Sequence, residues 1–338
     1  MYHSMQIIVS PKGEGSNGLD EFIYHTYRDF YLVPSTPPMV VPPKVKTHIV
    51  DIPGTNGIID LTEALTPYPV YENRTGSWDF ILLLDRAMWY EQHKESDRYY
   101  RKNYYDGNQV KYNYTLSSNL ARDSNSMSQH IYSLLMNTIH GQWCRIIFDD
   151  DPEWYYEGRL AVNSWKSGQG GNPSVSIDYD LHPYKWSVRS SIGGEGNSPD
   201  LKWKWDSFNF MDDYLPNGEN ISFISEDGPW TRLHIQTATS WTLIGQVNSK
   251  TGLREMGSRL TGHAPITPTV TVTGNGSFQF KVVNHLIDYE YTSPMIHNST
   301  LTDPECIFYS YNNFPYDLLV KAFDSDVYVT FEFRRGSL

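Results

Sequence analysis

The sequence predicts a mainly β protein with two domains and one clear helix. Short runs of alternating apolar and polar residues recur along the chain, turn signals rich in Gly, Asn and Pro separate them, and only one stretch has helical periodicity. With 338 residues, of which 39% are hydrophobic, the chain is long enough for two buried cores. We expect an N-terminal β-rich domain over 1–190, a Ser/Gly-rich linker at 191–200 and a second domain over 201–338.

The N-terminal part begins with a predicted strand at residues 5–10, and the glycine-rich stretch 13–18 follows it. This stretch matches G-x-G-x-x-G, the pattern of many dinucleotide-binding loops. Such a loop needs a helix that opens on the third glycine and a parallel strand beyond it. Residues 33–43 instead form a proline-studded run that is unsuited to a central strand. We therefore expect a hairpin turn at 13–18 and no cofactor.

The stretch from residue 44 to residue 81 predicts a β-hairpin with a rigid exit. Two glycines and an asparagine in its turn supply the positive φ angles that a chain reversal needs. The predicted elements are, in order, a strand at 46–52, a turn at 53–57, an apolar run at 58–61, a Pro-Tyr-Pro bend and a strand at 77–84. We expect a structural role for this stretch, because it holds no metal ligand set, nucleophile or phosphate loop.

Residues 85–125 differ in character from the rest of the first domain. They are polar, rich in tyrosine and only weakly periodic. A long excursion of this kind is typical of an extended functional arm, and equally of a mobile surface loop. Both interpretations stay open at this point.

One helix is predicted directly after this segment. Ser124, Asn125 or Ser126 can cap its first turn, and Gly141 can end it. Apolar residues then follow at helical spacing and form one stripe: Met127, Ile131, Leu134, Leu135 and Ile139.

Strands complete the first domain, at 143–148, 154–164 and 174–181. Between the first two lies the acidic run 149–153, which could suggest calcium binding. It lacks the alternating acids and the closing glutamate of a calcium loop, so a solvated turn is favoured and no metal is expected. In the second domain, short alternating runs separated by turns predict an antiparallel sandwich. These runs lie at 221–224, 233–237, 241–246, 267–273, 277–283, 307–311 and 327–333.

Charge and motif content exclude several classes of function. The formal net charge of −12 argues against a nucleic-acid surface and against binding to anionic membranes. The sequence has no run of about 18 apolar residues, so no membrane span is predicted. The two cysteines, Cys144 and Cys306, are far apart, and we expect both to pack as small apolar residues. No catalytic signature is present, so we do not expect an enzyme.

Two motifs in the first domain carry a resemblance to a known family. The run VDIPGTNGIIDLTEAL at 50–65, followed by YENR-x-G-x-x-x-F at 71–80, resembles the N-terminal domain of the distal tail proteins of long-tailed, non-contractile bacteriophages. DDPEWYYEGRL at 150–160 and IDYDLHPYKW at 177–186 continue the pattern in order. The run 262–274 resembles the first strand of the galectin-like C-terminal domain in many of these proteins. Residues 225–260 fit that pattern poorly and are a candidate insertion.

The resemblance implies a structural virion protein at the distal end of the phage tail, made in the cytoplasm of the bacterial host. Its N-terminal domain would close into a homohexameric ring between the tail tube protein and a hub or lysin protein, and its C-terminal sandwich would dock receptor-binding or baseplate proteins. Arg74 is a candidate for pairing with an acid across a subunit boundary. The motif residues expected to hold the ring domain are Val50, Asp51, Ile52, Pro53, Gly54, Gly57, Asp60, Leu61, Tyr71, Glu72, Asn73 and Arg74.

A carbohydrate-binding module is the alternative. Galectin-like sandwiches in other proteins bind sugars through an aromatic platform with polar neighbours, and cell-surface glycans would then be the partner. The aromatic candidates are Trp230, Trp241 and either Tyr309 or Tyr311. The compact polar set of the galectins is not visible in order, which weighs against this alternative.

Overall fold

The computed structural model of the protein describes most of the chain. The described residues are 3–10, 22–51, 58–62, 64, 66, 68–88, 124–166, 172–190, 221–223, 232–244, 264–309 and 316–338. The glycine-rich stretch 13–18, the linker at 191–200 and nearly all of the segment 85–125 lie outside them, so the predictions made there stay predictions. Within the described part, no helix is long and apolar enough to cross a membrane.

Strands dominate the structure, which confirms the prediction of a mainly β fold. Residues 1–190 hold β1 (Met5–Val9), β2 (Phe22–His25), β3 (Leu32–Pro34), β4 (Ile49–Asp51), β5 (Ile58–Asp60), β6 (Arg74–Leu82), β7 (Trp143–Phe148), β8 (Trp154–Lys166), β9 (Ser174–Leu181) and β10 (Lys185–Ser190). The second half holds β11 (Ile221–Phe223), β12 (Arg232–Ile235), β13 (Thr242–Ile244), β14 (Thr269–Gly274), β15 (Ser277–Asn284), β16 (Tyr289–Thr292), β17 (Ile296–His297), β18 (Thr300–Thr302), β19 (Asp317–Phe323), β20 (Val327–Glu332) and β21 (Arg334–Ser337). The helices are α1 (Thr26–Asp29) and α2 (Ser124–Thr138), with a further helical turn at 84–88.

The chain divides into two compact units, each assembled from separate stretches of sequence. The first unit comprises Met1–Val41, Arg74–Pro152 and Tyr156–His182. The second comprises Pro42–Asn73, Glu153–Tyr155 and Pro183–Leu338. Residues 44–73 of the hairpin stretch, which the sequence analysis placed in the 1–190 domain, therefore belong to the second unit.

The first unit is built on one antiparallel sheet with the strand order β2-β1-β7-β8-β9-β6-β3. Buried and less buried residues alternate along its strands, as in β6, because successive side chains point to opposite faces. Helix α2 contributes Met127, Ile131 and Leu135 to the same apolar core. The helix and its stripe were predicted correctly. The helix ends at Thr138, three residues before the predicted Gly141, which adopts a left-handed φ of 72° in the following turn and donates its N–H to the Leu160 carbonyl. The four-residue helix α1 was not predicted, because one turn carries no periodic signal.

The second unit contains two five-stranded sheets. One has the order β11-β12-β20-β14-β18, and the other has the order β13-β19-β15-β16 with β17 also on β15. Inward residues of both sheets, such as Val329 and Phe280, share one core, so the predicted antiparallel sandwich is confirmed. Strands β12 and β13 lie inside the candidate insertion 225–260, yet they pair with β20 and β19 of the sandwich. Strand β10 pairs with β21 and with the first two residues of β8.

Candidate functional site

Residues Pro42–Asn73, called the ribbon below, form a two-stranded antiparallel hairpin outside the two sheets of the sandwich. At its base, the Glu72 N–H donates to the Lys44 carbonyl, with N and O 2.8 Å apart. Farther out, β4 pairs with β5 and places Val50 opposite Ile59. The predicted hairpin is thereby confirmed. An isolated two-stranded hairpin is only marginally stable in water, so the ribbon depends on contacts beyond its own ladder.

The ribbon exposes apolar side chains along its length. Val45 near the base is 45% exposed, and farther out Ile49 is 51% exposed and Val50 and Leu61 are 39% exposed each. Ile49 and Val50 are consecutive in β4, so they point to opposite faces of the ribbon. Because both faces carry an exposed apolar residue, packing one face on the protein's own core would still leave the other in water. This arrangement is typical of a surface that meets another protein.

Tyrosines fix the base of the ribbon within the second unit. Tyr68 packs on Tyr309 with ring centroids 4.9 Å apart, and Tyr71 meets Tyr184 edge to face at 5.9 Å. Burial raises the pKa of Tyr68, and burial together with the neighbouring phenols raises the pKa of Tyr184. These rings are held in an environment that favours their neutral form. The sequence analysis missed Tyr68 and Tyr184, although the Pro-Tyr-Pro bend marked the position of the first.

Arg74 directly follows the ribbon and lies in the first unit. Its side chain is only 5% exposed. The guanidinium donates to the Val41 carbonyl at 3.3 Å and lies over the Tyr156 ring, 5.6 Å from its centroid. Burial lowers the pKa of Arg74, and the nearby phenols of Tyr156 and Tyr179 partly offset that change. The contacts described for Arg74 lie inside its own unit. Its pairing with an acid across a subunit boundary stays a prediction.

Val41 is held by a second contact as well. Its N–H donates to the Tyr179 hydroxyl at 3.0 Å, while its carbonyl accepts from Arg74. The Trp78 indole N–H donates to the Met39 carbonyl at 3.0 Å, which fixes the chain just before the ribbon. The two residues that flank the ribbon in sequence, Val41 and Arg74, are therefore bonded to each other. This clamp joins, within the first unit, the two chain positions between which the ribbon is inserted in sequence.

The remaining motif residues are spread along the ribbon. Asp51, Asp60, Glu72 and Asn73 are exposed and Tyr71 is half-buried, while Ile52, Pro53, Gly54 and Gly57 lie outside the described residues. The Asp60 carboxylate accepts from the hydroxyl and the N–H of Thr62, and these bonds lower the pKa of Asp60. Asp60 therefore stabilises a local turn at the end of β5. The interface role of the motif stays a prediction.

The aromatic residues predicted to stack on sugar have separate partners. Tyr309 packs on Tyr68 of the ribbon, and the Lys281 ammonium lies 5.7 Å from the centre of the Trp241 ring. Trp230 and Tyr311 lie outside the described residues. Tyr309 already serves as a packing partner inside the second unit, which removes one face of its ring from a sugar.

Neither cysteine has the environment of a reactive thiol. Cys144 and Cys306 are free and buried, in line with the prediction that they pack as small apolar residues. Burial raises the pKa of Cys144 to about 12, and it raises the pKa of Cys306 as well. Thiols of this kind stay protonated near neutral pH and are poor nucleophiles. Within the described ranges, no group of three or more His, Cys, Asp or Glu residues is arranged to hold a metal ion.

The known proteins that resemble this chain are found among solved structures. No protein-family model matches the chain, and no curated protein matches it either. Among solved structures, the chain is similar to the Dit protein (gp 19.1) of phage SPP1, described as a paradigm of the hub adsorption apparatus in phages that infect Gram-positive bacteria. The two chains are 12% identical, and the match covers 92% of this chain and 96% of the SPP1 chain with a TM-score of 0.41.

Proposed function

We propose that the protein is a structural, non-enzymatic component of a phage tail that forms a hexameric ring at the distal end of the tail tube. The observation that carries the proposal is the ribbon, whose outer part exposes Ile49 and Val50 on opposite faces. The motif at 50–65, which resembles that of distal tail proteins, lies on this same ribbon. A segment held at its base and apolar at its outer end is suited to contact a neighbouring subunit.

The proposed contact is heterologous, because the ribbon of one subunit meets a different surface on the next. Contacts of this type close into a ring when the rotation between subunits divides a full turn evenly. The ribbon supplies the directional element that such a contact needs. The Val41–Arg74 clamp and the tyrosines at the base of the ribbon hold its two ends in place.

In this proposal the ring has a separate partner on each side. The tail tube protein binds one face of the ring, and the hub or lysin protein binds the other. The antiparallel sandwich of the second unit, for which we keep the galectin-like assignment as a proposal, docks receptor-binding or baseplate proteins. The acidic net charge of −12 leaves nucleic acid and anionic membrane out of the set of partners.

The mass of the protein in solution tests the ring and the ribbon together. We expect size-exclusion chromatography with light scattering to give a mass near that of six 39.0 kDa chains at high protein concentration. The substitution Ile49→Lys should shift this species to monomer, because it places a charge in an apolar contact. Lysine is chosen because Asp60 lies opposite residue 49, so the hairpin gains a favourable cross-strand pair.

Leu286→Lys is the matched control. Leu286 lies in the same unit and is 50% exposed, against 51% for Ile49. Both substitutions therefore replace an aliphatic side chain of nearly equal exposure with lysine. The control should keep the mass of the unmodified protein. A hexamer that persists in Ile49→Lys would rule out the ribbon as the subunit contact. A protein that stays monomeric both alone and with the tube protein would overturn the ring itself.

A further inference from the structure

The outward face of the sheet β11-β12-β20-β14-β18 carries a regular array of hydroxyl groups. Along β14, Thr269, Thr271 and Thr273 point outward, while Val270 and Val272 point into the core. The neighbouring β18 presents Thr300 and Thr302 on the same face. The strands of a sheet lie about 4.8 Å apart, so the array has a fixed spacing across the strands.

Hydrogen bonds between the strands orient these hydroxyls. The Thr269 and Thr302 hydroxyl oxygens are 2.9 Å apart, and those of Thr271 and Thr300 are 3.1 Å apart. On the other side of β14, Thr330 of β20 lies opposite Thr271 and continues the row. Each hydroxyl has one donor and two acceptor positions, so groups paired in this way still offer hydrogen-bonding capacity to a ligand.

An aromatic platform lies at one end of the array. Tyr328 of β20 is opposite Thr273 on one side and His234 of β12 on the other. It is 41% exposed although it lies in the middle of a sheet. The His234 ring stacks on it, with centroids 5.0 Å apart and planes 30° apart, and thereby fixes the orientation of the phenol ring.

A carboxylate completes this end of the face. The His234 Nε2 lies 3.3 Å from Asp326 Oδ2, and the N–H of Thr237 donates to Asp326 Oδ1 at 3.0 Å. The Thr237 N–H is the main cause that lowers the pKa of Asp326, so its carboxyl is ionised near neutral pH. A carboxylate held in this way accepts hydrogen bonds without having to be reoriented, and its two oxygens have acceptor positions to spare.

We infer that this face is a binding site for a neutral polysaccharide. The Tyr328 ring stacks on the apolar face of one sugar, the Asp326 carboxylate accepts from that sugar's hydroxyls, and the threonine array bonds to the sugars that follow. The face carries charges of both signs, because Arg232 of β12 lies opposite Thr330 while Asp326 and the exposed Glu332 are acidic. A neutral polymer is repelled by none of them, whereas a polymer of one charge is repelled by part of the face. A protein partner fits less well because, on β12, β14, β18 and β20, Tyr328 is the one large hydrophobic residue described as exposed.

Native gel electrophoresis of the full-length protein through gels that contain a soluble polysaccharide tests the inference. The polymers are dextran, galactomannan, mannan and a mixed-linkage glucan, with polymer-free gels as reference. We expect at least one polymer to retard the protein. Asp326→Asn should weaken that retardation about tenfold or more, the scale of one lost charge-assisted hydrogen bond. Tyr328→Ala removes the stacking ring and should weaken it by about the same factor. Tyr328→Phe should keep most of it, because the ring is retained.

Phe22→Ala is the matched control, since it removes an aromatic residue that is 56% exposed on β2 of the first unit. Retardation that is lost in Tyr328→Ala and unchanged in Phe22→Ala supports the site. The inference is overturned if none of the four polymers retards the protein, or if retardation survives in Tyr328→Ala. It is also overturned if Tyr328→Ala changes the mass in solution and not the retardation, because the face is then a contact between copies. None of these outcomes depends on the ribbon, so the site and the ring can fail independently.

Discussion

Burial of the Arg74 guanidinium is the clearest departure from ordinary behaviour at the residue scale. Arginine is almost never buried unless its charge is compensated. Here the Val41 carbonyl and the Tyr156 ring supply part of that compensation. The sequence motif singled out Arg74 as a candidate for pairing with an acid of a neighbouring subunit, and it gave no sign that the side chain is buried. Its internal role follows only from packing against β8 and the segment before the ribbon, which the local sequence does not encode.

Arg74→Ala should therefore destabilise the first unit. It removes a buried hydrogen bond and a cation–π contact, and it leaves the Val41 carbonyl without this donor, for an expected loss of about 2–3 kcal/mol in the free energy of unfolding. Arg159→Ala is the control, because Arg159 makes the same two kinds of contact at an exposed position, with the Gly141 carbonyl and the Trp143 ring. Its loss should be about 0.5–1 kcal/mol. Urea unfolding followed by tryptophan fluorescence measures both, and equal losses would contradict the account.

At the element scale, the parts encoded by short stretches of sequence could be predicted. Helix α2 has a complete apolar stripe, and the hairpin of β4 and β5 has its glycines and asparagine between two apolar runs. What the sequence did not reveal is where the hairpin packs. That depends on Tyr68 meeting Tyr309 and on Tyr71 meeting Tyr184, contacts between residues far apart in the chain. Periodicity and turn signals are local, so they carry no information on such pairs.

The ribbon should loosen at its base when the Tyr68 ring is removed. We expect Tyr68→Ala to raise amide hydrogen exchange about tenfold in peptides covering 44–48 and 68–72, since an aromatic pair contributes about 0.5–1.5 kcal/mol beyond its buried area. Tyr68→Phe keeps the ring against Tyr309 and should exchange like the unmodified protein. Mass spectrometry of peptic fragments measures the change. Faster exchange throughout the sandwich would instead indicate a general loss of stability, and unchanged exchange would show that the tyrosine contact does not hold the ribbon.

At the scale of the whole molecule, most of the described phenols and thiols that are found with raised pKa values lie in the second unit. In the second unit, burial raises the pKa values of Tyr68, Tyr184, Tyr289 and Tyr291, and that of Cys306 as well. In the first unit, the described thiol with a raised pKa is that of Cys144. The assignment of these residues to units was beyond the sequence, because each unit draws on separate stretches of chain and no single boundary divides them.

This difference predicts that alkaline pH destabilises the second unit more steeply than the first. A tyrosine whose pKa is raised by folding contributes stability that is present below its ordinary pKa of 10.0 and is lost as the pH rises above that value. For each such tyrosine the free energy of unfolding falls by at most about 1.4 kcal/mol per pH unit, and by less where the ring is partly exposed to solvent. Calorimetric scans between pH 8 and about pH 11 should show the transition of the second unit moving to lower temperature faster than that of the first.

Two variants identify which calorimetric transition belongs to which unit, without relying on the predicted pH dependence. Arg74→Ala lowers the transition of the first unit, since Arg74 is buried there, and so identifies it at neutral pH. Tyr184→Phe removes one titrating phenol from the second unit and keeps the ring that meets Tyr71, so it should flatten the alkaline slope of that unit alone. Equal slopes for the two units, or an unchanged slope in Tyr184→Phe, would mean that the buried tyrosines do not control alkaline stability. A flatter slope would show that the tyrosines at the base of the ribbon also control how the second unit loses stability at high pH.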